Sequence, residues 1–198
     1  MRRTFHLGLV ALAAVSLTQA LGAQALGPQR QFLAIEPYYE HTALDLGTTA
    51  ATDQLNGFGA RLWINLDPFH FIPNSSIAIF GSNAPSQSGR AVSMTTVGAE
   101  YDQFFVRRPL GGLIDPFLTL GGGSTIIRGQ RVSPFGAIRS QHAYGSLIPG
   151  GGIRLAIPNR FELRGDVKDL ILFNTPVGTS GGTRTNNLLL QAGLGLTF

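Results

Sequence analysis

Glu162, Arg164, Asp166 and Lys168 alternate in sign and stand two residues apart. That spacing puts all four on one face of an extended strand, with Phe161, Leu163, Gly165 and Val167 on the other. Charges so placed can neutralise one another through short, charge-assisted hydrogen bonds. Arg61, Glu100, Asp102 and Arg154 occupy the polar phase of other alternating segments. The eight together are four positive and four negative groups, a set able to pair internally, as burial would demand. The same set could instead line a narrow polar path or gate. Nucleophilic chemistry is poorly provided for. Ser140 and His142 share a face, and so do His142 and Ser146, the second pair too far apart for a direct bond. His41 and His70 are expected near opposite ends of the barrel. The chain has no Cys, no cluster with metal-ligand spacing, and no Lys or helix after Gly121-Gly122-Gly123 to make a phosphate loop. No catalytic, cofactor-binding or metal-binding residue is assigned, and no enzyme activity is expected.

The bulk composition narrows the setting. Charged residues make up 13% of the chain, about half the share usual in a soluble domain. Gly reaches 26, and a single Lys, Lys168, stands against fourteen Arg. The formal charge of +4 falls to about +2 without Arg2 and Arg3, too little to point to a nucleic-acid partner. Arg2 and Arg3, the apolar stretch from Leu7 to Leu17 and the small residues of Ala23-Gln24-Ala25 have the order of a secretory signal. Residues 1–25 are therefore expected to be cleaved, leaving one domain over 26–198.

No later segment approaches the roughly 20 apolar residues of a membrane helix. Period-two alternation recurs instead. It predicts strands over Gln31–His41, Gln54–Leu66, Ser75–Ser82, Ala91–Val106, Phe117–Ile126, His142–Ile157, Arg160–Lys168 and a last strand ending at Phe198. Pro37 marks an irregular position in the first. Leu189 breaks the alternation of the last, and Trp63 falls on the polar face of the second. Eight strands is an even number, as antiparallel barrels of one chain have. Alternation alone does not say whether the apolar face points in, as in a soluble sandwich, or out, as in a membrane barrel. The connections favour the barrel. Thr42–Asp53, Arg128–Gln141 and Asn174–Asn186 are long and polar and fall on one side, while Pro158-Asn159 is a tight turn on the other. Membrane barrels sort their connections in this way.

Three stretches carry a resemblance to a known group: Pro116 to Gly123, the hairpin from Gly151 through Val167, and Gly193-Leu194-Gly195-Leu196-Thr197-Phe198. With them the chain resembles the small outer-membrane β-barrels, the OmpA-like and OmpW-like transmembrane domains. The last stretch resembles that group's C-terminal assembly signal, with Ala192 where a polar residue usually precedes the Gly. The resemblance implies an all-β, eight-stranded, antiparallel up-and-down barrel in the outer membrane of a Gram-negative bacterium. It implies contact with the barrel-assembly machinery through Gly193, Leu194, Leu196 and Phe198, and a monomer among lipids and lipopolysaccharide. Arg128, Arg131, Arg139 and Arg184 are candidates for lipopolysaccharide phosphates, since guanidinium binds phosphate bidentately. Phe32, Phe69, Phe71, Phe161 and Phe198 are expected at one interface, and Tyr38, Tyr39 and Phe173 at the other. Function within the group varies. The expectation is a structural or surface-interaction role with an interior closed by charges; a narrow channel or transporter for small hydrophobic molecules is the alternative, and a lipid-modifying enzyme is a distant third.

Overall fold

A computed structural model describes residues 32–44, 53–66, 72–85, 92–105, 114–133, 136–157, 160–173 and 184–198. The expected signal peptide, residues 1–25, lies outside them, as do His70, Phe69 and Phe71. Eight strands follow in order: β1 (Leu33–Leu44), β2 (Asp53–Asn65), β3 (Ser75–Ala84), β4 (Val92–Phe104), β5 (Ile114–Ser133), β6 (Gly136–Ile157), β7 (Phe161–Phe173) and β8 (Arg184–Thr197). Each pairs antiparallel with its neighbours in sequence, and β8 pairs back onto β1, so the sheet is a closed barrel. Closure leaves no strand edge around the ring. The register fixes the tilt. Following partners from Phe32, bonded to Asn65, around all eight strands returns to Thr42, ten residues up the first strand. Such a stagger goes with strands tilted by about 40° to the barrel axis.

The alternation in β1 is regular: Ala34, Glu36, Tyr38, Glu40, Thr42 and Leu44 are buried, and Ile35, Pro37 and Tyr39 are exposed. The same phase holds in β2, where Leu55, Arg61, Trp63 and Asn65 are buried and Phe58 is 73% exposed. Polar and charged residues thus point into the barrel, and large apolar ones form its outside. Two prolines interrupt the ladders. The β1–β8 register passes from Ile35↔Leu196 to Tyr38↔Gly193, and the β6–β7 register from Leu147↔Ile171 to Gly150↔Lys168. Pro37 and Pro149, without N–H groups, sit in these gaps.

Two expectations need correction. Arg128–Gln141 is not a loop: β5 and β6 run 20 and 22 residues and stay paired as far as Ser133↔Gly136. The Gly, Ser and Arg content that reads as a loop is carried by a two-stranded hairpin standing beyond the other strands. Tyr38 is not at the rim but inside, 3% exposed. Its ring occupies the space that Gly59 leaves, since a Cβ there would lie 2.3 Å from Tyr38 Cζ.

The turn between β6 and β7 holds Arg160 at φ 76°. For an L-residue this left-handed backbone costs about 1–2 kcal/mol, whereas Gly adopts it freely but loses about 0.5–1 kcal/mol more chain entropy on folding. Arg160→Gly is therefore expected to stabilise the barrel by about 0.5–1 kcal/mol, read as a higher urea midpoint for refolded protein in detergent.

Candidate functional site

The barrel interior holds a charged layer assembled from five strands. Arg61 on β2 pairs with Glu36 on β1 (3.2 Å), Glu100 on β4 (3.4 Å) and Asp166 on β7 (2.8 Å), and donates to Gln191 on β8. Arg164 on β7 pairs with Asp102 (2.6 Å), Asp166 (2.8 Å) and Glu100 (3.7 Å). Lys168 joins Glu100 (2.6 Å) and Asp166 (3.2 Å). Nearer the end that carries the termini, Arg154 pairs with Asp115 (3.1 Å) and Glu162 (3.5 Å). All eight charged residues singled out by alternation are buried, and each has an ion-pair partner of opposite sign.

The balance differs from the expectation. Glu36, Glu40 and Asp115 are also buried inside, so among the described residues seven acids face four bases rather than four facing four. Glu36 and Glu40 share the inward phase of Tyr38, a signal present in the sequence beside the irregular Pro37. Asp115 is the second residue of β5, where the composition reads as a connection. Glu40 accepts from Gln191 Nε2 (3.2 Å), and its Oε1 has no hydrogen-bond partner.

Aromatic rings separate the charges. The Arg164 guanidinium lies between Trp63 and Phe117, 4.2 and 4.1 Å from the ring centres. Arg61 covers Tyr38 at 4.3 Å and Arg154 covers Phe104 at 4.3 Å. Trp63 also donates its indole N–H to Glu36 Oε2 (2.9 Å). This gives the inward Trp a place: it satisfies one acid and stacks on the base opposite. Glycines make room: a Cβ at Gly193 would meet the Glu36 carboxylate, and one at Gly152 would meet Phe117 and Asp166. Towards the loop end the interior changes character. Leu44, Leu55, Met94, Ile148, Leu170, Leu172 and Leu189 form an apolar layer with Ala84, Ile127 and Tyr144. Leu189, the exception to alternation in β8, belongs to it.

On the outside, at the loop end, Arg128 donates to Gln141 (3.1 Å) and reaches the Thr95 hydroxyl (3.5 Å), which donates to Asn83 (3.0 Å). The side chains of Arg131, Arg139, Arg184 and Ser140 lie outside the described residues. At the other end Phe32, Phe161 and Phe198 are exposed, while Tyr39 and Phe173 are exposed nearer the loops. Gly193 faces inward, and Leu194, Leu196 and Phe198 face outward. His142 stands beside Tyr144, with ring centres 6.2 Å apart, and His41 bonds Asn56. Among the described residues no group of three His, Cys, Asp or Glu could hold a metal ion.

No protein-family model and no curated protein matches the sequence. Solved structures do match. Neisserial surface protein A (NspA) superposes with a TM-score of 0.60 at 11% identity, over 86% of this chain and 100% of its own. Ail, the attachment invasion locus protein of Yersinia pestis, gives 0.57 at 13% identity with the same coverage. Its complex with the heparin analogue sucrose octasulfate gives 0.55 at 12%. The fold is that of small eight-stranded outer-membrane β-barrels.

Removing one partner of a buried pair strands the other charge at a cost of about 3–5 kcal/mol. Arg164→Met, which takes from Asp102 its ion-pair partner and leaves Asp166 with Arg61 and Lys168, is expected to destabilise by that amount in urea titrations. Glu100→Gln should do the same, because three bases surround it. Glu40→Gln, at an acid with no ion pair, should cost less than about 1 kcal/mol. A large loss at Glu40 and a small one at Glu100 would reverse this ranking of the interior.

Proposed function

We propose that the chain is an integral outer-membrane barrel that conducts no ions and serves at the cell surface in a structural or interaction role. The observation that carries this is the inversion of burial. Phe58, Ile79, Leu120, Val167 and Val97 are each more than half exposed around the outside, while eleven charged side chains are buried within. Water would penalise that exterior and hydrocarbon would not. The strands are long enough, since about 9–11 tilted residues cross the hydrocarbon layer.

The closed interior rests on two layers in series, the ion pairs and the apolar cluster above them. The void between them, beside Glu40, Ser82 and Thr96, is about 10 Å³, room for about one water. The surface role rests on the hairpin that projects beyond the barrel and on Arg128 at its base, which would meet lipopolysaccharide phosphates together with Arg131, Arg139 and Arg184.

Two measurements test the proposal. Unboiled protein from the outer-membrane fraction should migrate differently from boiled protein on a detergent gel; a single mobility in the soluble periplasmic fraction would reverse the inside-out reading. In planar bilayers the purified barrel should give no current steps. Regular steps would favour the narrow-channel reading and place its path through the charged layer.

A further inference from the structure

A groove of about 620 Å³ crosses the outer wall, lined by Tyr39, Phe58, Ile153, Leu163, Gly165 and Ala192 among others. Ile153↔Gly165, Gly165↔Ala192, Ala192↔Tyr39 and Tyr39↔Phe58 are direct register partners. The groove therefore follows one row across five strands, with Gly165 and Ala192 as its low floor. Four inter-strand steps of about 4.8 Å make the row about 19 Å long, the length of an extended acyl chain of about fifteen carbons. Because the register climbs around the barrel, the row rises from Ile153 towards the loop end at Phe58.

The upper end carries polar groups. Tyr39 donates its hydroxyl to Asn56 Oδ1 (2.7 Å), and His41 Nδ1 lies 2.7 Å from the same oxygen. With Oδ1 receiving both, the Asn56 NH2 and the His41 Nε2 are left for a ligand. A second groove, past Leu62, Ile79 and Leu120, lacks this feature: its Tyr101 bonds Gln103, towards the opposite end of the barrel. Of these two grooves the first combines an apolar trough with polar side chains at the loop end.

We propose that this groove is a lipid site for lipid A, the acylated anchor of lipopolysaccharide, with one acyl chain along Gly165 and Ala192 and a sugar phosphate at Asn56 and His41. The assignment rests on the outer-membrane reading, which puts the loop end in the leaflet where lipid A resides. Phosphate suits the head position, since the Asn56 amide N–H groups donate to its oxygens beside the His41 ring. The apolar trough suits the chain, which gains by burial against it.

Gly165 allows a clean test, because a Cβ added there meets nothing within 4 Å. Gly165→Leu fills the floor without disturbing the wall. Refolded, lipid-free barrel is offered purified lipid A or phosphatidylglycerol at equal concentration and examined by native mass spectrometry. Wild type should retain one lipid A in preference to phosphatidylglycerol. Gly165→Leu should retain about ten-fold less, the effect of losing about two buried methylenes, and Asn56→Ala should also lose it. Both variants should keep the gel shift on boiling, which separates loss of the site from loss of the fold. Equal retention by wild type and Gly165→Leu overturns the site. So does equal retention of phosphatidylglycerol, which would mark ordinary membrane contact, or a dimer that Gly165→Leu abolishes, which would make the groove a contact between copies. The outer-membrane reading fails on different evidence, the fractionation, and not on retention.

Discussion

Closing eight strands into a ring leaves an interior only a few side chains wide, and every charge turned into it must be matched across that space. Much else in the molecule follows from this demand. Arg61 reaches acids on three other strands, and Arg164 reaches two on β4. The bases act as cross-braces, so the ion pairs and the backbone ladders hold the same ring by independent means. Aromatic rings between the guanidinium groups keep like charges apart while preserving contact. Glycine is needed wherever a brace or ring lies against the opposing wall.

The interior is divided along its axis. Charges dominate the half near the termini, and an apolar layer fills the half near the loops. The two halves place different demands on sequence. An apolar layer tolerates any well-fitting set of side chains of the right volume, whereas a charged layer fails if one member is lost. The outside tolerates more still, because its large apolar side chains stand apart from the ion-pair network. Where the outside departs from a plain apolar surface, as at Tyr39, His41 and Asn56, the departure calls for its own explanation.

The sequence disclosed the ring better than its contents. Alternation in β2 and β7 put Arg61, Arg164, Asp166 and Lys168 inward, and the burial of those residues follows that phase. It also turned Trp63 inward without saying why, because one partner, Glu36, lies across the β1–β2 pairing and the other, Arg164, comes from β7. Glu36 and Glu40 were obscured by Pro37, a residue that breaks a ladder without ending the strand. Asp115, second in β5, has the composition of the connection before it, since nothing local tells a strand's first residues from the end of a loop. Leu189 breaks the alternation of β8 because it belongs to the apolar layer inside. The β5–β6 hairpin has loop composition because, beyond the barrel, neither of its faces has a core to cover.

The cross-bracing also limits how such a chain can drift. An outward Leu on β8 can become Ile or Val in one step, with no other residue taking notice. Arg61 cannot change alone, because acids on β1, β4 and β7 depend on it, and any successor would have to arrive with several of them altered. Two lineages carrying this ring could replace most of their outer surface and still superpose. Their differences inside would come in correlated sets, each a different solution to the same balance of charge within the same narrow space.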